Sequence, residues 1–158
     1  MSLSNYPGDI YWKLIEPYWI PLNETWDSGV AAFLSHLRKV PSKVCHLYAA
    51  HWCQSEVRNG GFYQFFFNTT GILAPESLEG FHAIGLQDCA SVLADVIKYF
   101  GEKYPRDREL RLTKLPEMIG KNRAEWNPFE KEDERFYKCL DIKENHWAQA
   151  ADIYATIT

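Results

Sequence analysis

Residues 86–100 read "LQDCASVLADVIKYF" and place Leu86, Cys89, Ala90, Leu93, Ala94, Ile97 and Phe100 at i, i+3, i+4 and i+7 spacing. That period belongs to an amphipathic helix laid against a core. No stretch alternates apolar and polar residues as a half-buried strand does, so helix-on-helix packing is the expected architecture. The same period recurs along the chain. In "DIYWKLIEPYW", Ile10, Leu14, Trp12, Tyr18 and Trp19 surround a short helix with Asp9 as its N-cap; Pro17 should bend or end it, and Pro21 closes the region. Val30, Phe33, Leu34 and Leu37 mark a second helix, stopped by Pro41. Ser42 is read as the cap of a third, through Arg58, whose broad apolar arc marks a central, mostly buried element. Residues 74–85 form another, with Pro75 in the first turn. The prediction is an all-α, single-domain multi-helix bundle of about seven to eight helices.

A chain of 158 residues is the size of one domain and can bury a core without metals or disulfides. The domain is taken as residues 1–158. After Gly101 the chain turns polar and proline-broken, so about 101–128 is expected to be a connection with one short helix after Leu115. About 129–157 is expected to be a C-terminal helical pair carrying Phe129, Phe136, Tyr137 and Leu140, then Trp147, Ala151, Tyr154 and Ile157. The charge run Glu130–Glu134 is assigned to the solvated face.

The formal charge is −4 and lies in the first part: residues 1–97 hold nine acids against five Lys/Arg, and residues 98–158 hold twelve of each. There is no basic stripe to neutralise phosphates, which argues against direct nucleic-acid binding. The aromatic share, 15%, predicts a dense core with some sticky surface. Cys45, Cys53, Cys89 and Cys139 form no CxxC pair and sit among apolar neighbours, as free thiols do in a reducing compartment. A signal-peptide pattern and a bilayer-length apolar run are both missing, so the expected location is the cytoplasm, with no membrane contact.

The chemistry-bearing patterns are sparse. His46 and His51 are five apart, which is not the i, i+4 spacing of two ligands on one helix face, and there is no HExxH. GxSxG, GxGxxG and Walker patterns are likewise missing. No catalytic residue, metal ligand or cofactor is assigned. One stretch stands out: "RNGGFYQFFFNTTG", residues 58–71. Asn59-Gly60 ends the buried helix, Gly61 permits the turn, and Phe62, Phe65 and Phe66 return the chain to the core. Glu56 lies near a helix C-terminus, where the dipole disfavours an acid. Together with Asn59, Gln64 and Asn68 it sets polar groups among aromatic rings. These groups either brace the turn by mutual hydrogen bonds or line a pocket or interface. The candidate ligand- or partner-binding residues are therefore Glu56, Asn59, Gly60, Gly61, Phe62, Gln64, Asn68 and Gly71.

From Trp52 to Gly71, then "PESLEGFHAIG" from Pro75 to Gly85, the sequence resembles the bacterial family catalogued as domain of unknown function 4375, which includes a DNA-mimic protein. The matching core runs roughly from Val44 to Phe100, and the NGGF-x-Q-[FY]-x-x-N-x-x-G arrangement carries it. The resemblance implies a helical protein without established enzyme activity, and a role in which an acidic surface occupies a DNA-binding protein. The expected function is thus a non-enzymatic binding or regulatory protein that acts through a protein partner, a DNA-binding protein or a toxin. Two alternatives stand beside it. One is a small-molecule binder or enzyme with a pocket around Glu56, Asn59, Gln64 and Asn68. The other is a structural subunit or homodimer joined through surface aromatics.

Overall fold

In the computed structural model the described residues are 6–121 and 126–157. Among them the chain forms eight α-helices and no strand: α1 (Asp9–Asn23), α2 (Val30–Leu37), α3 (Ser42–Phe67), α4 (Ala74–Ile84), α5 (Gln87–Lys98), α6 (Arg108–Lys121), α7 (Glu130–Leu140) and α8 (His146–Thr156). Short 3-10 turns at Trp26–Ser28, Thr69–Leu73 and Ile142–Glu144 join them. This is the expected all-α bundle.

The helix α3 is the axis of the bundle. It touches α1, α4, α6 and α7, and its Leu47, Ala50, Cys53 and Val57 are fully buried. The main apolar cluster gathers these residues with Ile15 of α1, Phe81 of α4, Leu93 of α5, Phe136 of α7 and Trp147 of α8. A second cluster, around Phe33, Leu37, Tyr48 and Leu73, packs α2 against α3. Tyr18, Trp19 and Val40 border both clusters and join them. The α3–α4 crossing is close. A Cβ at Gly80 would lie 2.5 Å from the His46 carbonyl, and the Ser77 hydroxyl donates to the Ala49 carbonyl at 2.9 Å.

Helix ends depart from the sequence reading where a distant group takes over. The helix α1 does not end at Pro17, where a bend or an end was expected, and runs on through Pro21 to Asn23. Both prolines are exposed, so the carbonyls they leave unpaired face water. Asp9 lies inside the first turn and Gly8 holds the cap position. The capping carboxylate comes from α8: Asp152 accepts from the amides of Gly8, Ile10 and Tyr11 at 2.7, 3.1 and 2.9 Å. Ser42 is the first residue of α3, behind Pro41, and makes no cap bond. The largest difference lies in the polar connection. In place of a short helix after Leu115, α6 starts at Arg108 and carries Pro116 in its interior. Leu115 and Met118 bury its inner face, and Arg111 joins them there.

Candidate functional site

Residues 58–71 form a break in α3 and its continuation. Helical geometry fails at Gly60 (φ −154°, ψ 23°) and at Gly61 (φ 74°, ψ 179°), then resumes through Phe67. Asn59-Gly60 thus ends the first segment as expected, and a second, short segment follows it. The positive φ at Gly61 is a conformation that side chains resist. Space forbids one as well, since a Cβ there would sit 2.5 Å from Asp133 Oδ2. Phe62, Phe65 and Phe66 are fully buried, as the spacing predicted. Phe66 meets Phe100, Tyr104 and Phe129 with ring centroids 4.7, 6.1 and 5.4 Å away.

The restarted segment is capped at both ends by charges from other helices. At its N-terminus the Phe62 amide donates to Asp133 Oδ1 at 2.8 Å, and the Asn127 side chain donates to Oδ2 at 2.9 Å. At its C-terminus Arg111 donates through Nε to the Phe66 carbonyl and through a terminal nitrogen to the Asn68 carbonyl, both at 3.0 Å. The other terminal nitrogen serves the carbonyls of Pro105 and Arg106. Arg108 Nε reaches the Phe67 carbonyl at 2.8 Å. A carboxylate at the positive end and guanidinium groups at the negative end match the helix dipole. Asp133 is buried, and burial raises its carboxyl pKa despite the two donors that favour the charged form.

Neither capping residue was singled out from the sequence. Asp133 belongs to the run assigned to solvent, and Arg111 to the stretch taken for a connection. A signal existed for both. Asp133 follows Phe129 by four and precedes Phe136 by three; Arg111 precedes Leu115 and Met118 by four and seven. Each lies on the apolar stripe of its helix.

The polar candidates close on one another. Glu56 Oε2 accepts from the Gln64 amide at 2.6 Å and the Asn68 amide at 3.1 Å, and Oε1 accepts from the Thr70 hydroxyl at 2.8 Å. Asn59 donates to Gln64 Oε1 at 3.1 Å. A carboxylate at 8% exposure is thereby given three donors, which offsets both its desolvation and its position near a helix C-terminus. Thr70 is the member that sequence reading missed. Gly60 lies against this network: a Cβ there would collide with Gln64 Oε1. Gly71 leaves room for Arg111, whose Nε would be 2.8 Å from an added Cβ. Of the eight candidates, Glu56, Asn59, Gln64 and Asn68 share one network. Phe62 is core, and the three glycines provide clearance.

An open depression of about 510 Å³ adjoins the network, lined by Gly60, Tyr63, Gln64, Phe67 and Asn68. Its floor is aromatic: Tyr63 stacks on Phe67 at 6.2 Å, and the Arg108 guanidinium lies 5.1 Å from the Phe67 ring. Among the described residues no group of three or more His, Cys, Asp or Glu could hold a metal ion. No described helix is long and apolar enough to cross a membrane.

An all-helical bundle braced around a glycine break defines the class of this protein. The family described as DMP19-like protein matches residues 38–155, and the chain belongs to that family. The match extends well beyond the segment 44–100 that carried the resemblance, taking in α6, α7 and most of α8. No match was found among curated proteins or among solved structures.

Proposed function

We propose that the protein is a non-enzymatic binding protein that engages a basic protein partner through its acidic N-terminal face, in the manner of a DNA mimic. One observation carries the reading. Residues 1–37 hold Asp9, Glu16, Glu24 and Asp27 against a single cation, Lys13, a formal −3 (1 − 4). Among the described residues the ion pairs fall elsewhere: Lys98 and Arg135 with Asp95, Arg106 with Glu76, Arg108 with Glu109. Glu16, Glu24 and Asp27 are exposed. Successive carboxylates at positions 9, 16 and 24 are seven and eight residues apart, on the order of 10–12 Å along a helix at 1.5 Å per residue. DNA places one phosphate about every 3.4 Å per strand, so this face replaces a few phosphates and not a whole turn. Membership in the DMP19-like family supports a mimic-type role for the bundle, and the matched residues, 38–155, begin after this acidic segment.

The partner's chemistry is then a basic, DNA-binding surface, and the attraction should be screened by salt. The test is capture from the source lysate at low salt, followed by competition with duplex DNA. Glu16→Lys with Glu24→Lys should weaken capture at least tenfold while the circular-dichroism spectrum stays helical. A partner held equally well by that double variant, or one that DNA does not displace, would overturn the reading. The depression beside Tyr63 and Phe67 favours a small-molecule site less, because the Gln64 and Asn68 amides that face it are already donated to Glu56.

A further inference from the structure

The helices α5 and α7 pack antiparallel, and their contacts step along both in order. Tyr99 stacks on Phe129 at 5.6 Å and its hydroxyl donates to Glu132. About one turn further along both helices, Arg135 reaches Asp95 at 3.0 Å. The following step brings Cys89 and Cys139 together: both line one surface cavity of about 160 Å³, with Asp88 and His146 at its rim, and each thiol influences the ionisation of the other. Cys89 is buried at 1% exposure and Cys139 is partly open to solvent. Cys53 is fully buried in the main core, and Cys45 packs on the other cluster.

We propose that Cys89 and Cys139 form a reversible disulfide on oxidation by a peroxide, stapling α5 to α7. The Cys139 thiolate, the more accessible, attacks one oxygen of a hydroperoxide. The O–O bond breaks, the second oxygen leaves as alcohol or water, and Cys139 becomes a sulfenic acid. The Cys89 sulfur then attacks the Cys139 sulfur. The S–O bond breaks, and hydroxide leaves as water with the Cys89 proton. Two thiols are oxidised by two electrons and one peroxide is reduced.

Burial raises the pKa of both thiols, and Asp88 raises both further; Arg135 opposes this at Cys139. Thiolate is therefore scarce at neutral pH, and the reaction is slow and base-accelerated: its rate should rise about tenfold per pH unit between 7 and 8. The bond would enclose the segment that includes α6, so the oxidised chain should unfold at a higher urea midpoint.

The intact folded protein is treated with hydrogen peroxide and its non-reduced peptides are mapped by mass spectrometry. The expected product is one Cys89–Cys139 link, two hydrogens lighter, reversed by dithiothreitol and formed faster as pH rises. Cys139→Ser and Cys139→Ala should each abolish it, and Cys45→Ser should leave it intact. A stable sulfinic acid on Cys139 beside a free Cys89 would overturn the proposal. So would a link between chains, or pairing that involves Cys45 or Cys53 as often.

Discussion

At the scale of single residues, the glycine break is specified by one side chain more than by turn preference. Gly61 and Gly85 both have positive φ, 74° and 90°, yet a Cβ at Gly85 meets nothing within 4 Å while one at Gly61 meets the Asp133 carboxylate. Gly85→Ala should therefore lose only the backbone strain, about 1 kcal/mol. Gly61→Ala should lose that strain and also displace the cap of Phe62, a total of about 3 kcal/mol. Urea unfolding of the two variants checks this. Equal losses would mean that Asp133 moves aside freely. The Glu56 network has the same character, because its carboxylate is held by Gln64, Asn68 and Thr70 from beyond the break.

At the scale of elements, the segment 62–67 is far too short to be stable alone, since helix nucleation is unfavourable and few turns follow to compensate. It persists because α7 supplies Asp133 at one end and α6 supplies Arg111 at the other. The hydrogen bonds of Arg111 all run to backbone carbonyls: Phe66, Asn68, Pro105 and Arg106. A lysine keeps the charge but not the planar fork, so Arg111→Lys should leave carbonyls unpaired and cost about 2–3 kcal/mol. The loss should appear in a thermal or urea melt, and amide exchange should rise first at residues 62–67. A neutral outcome would show that the charge alone holds the segment. This dependence explains why α6 looked like a connection: its most important residue for packing is an arginine.

At the scale of the whole molecule, one half-buried histidine ties three helices to pH. His51 of α3 shares a hydrogen bond with the Tyr11 hydroxyl of α1 at 3.0 Å, and the Trp147 indole of α8 donates to that hydroxyl at 3.4 Å. Trp12, Trp19 and Trp52 surround the imidazole, with ring centroids 5.7, 5.2 and 6.3 Å away. Burial lowers its pKa from the usual 6.5 to about 4. The unfolded chain takes up a proton there first, so stability is full above pH 6.5 and falls as pH drops towards 4. Allowing for partial exposure, the loss should be about 2 kcal/mol. Burial of Asp133 acts in the opposite sense, because its raised pKa makes the fold favour the protonated acid. A stability–pH profile of His51→Gln should be flatter between pH 6.5 and 4; an unchanged slope would clear His51 of the effect. The helices themselves were legible in the sequence because periodicity is local: α5 alone announces its buried face. The break at Asn59-Gly60-Gly61 and the return of Phe62, Phe65 and Phe66 to the core were legible for the same reason. Local pattern was enough to establish the helical class, the central place of α3 and the unequal distribution of charge. It took the packing of the helices to show that Asp133, Arg111 and Asp152 cap helices distant in the chain, that α6 is a full helix, and that Glu56 is satisfied from within. A charged residue on an apolar stripe has no local partner to reveal it; its partner is fixed only when another helix arrives.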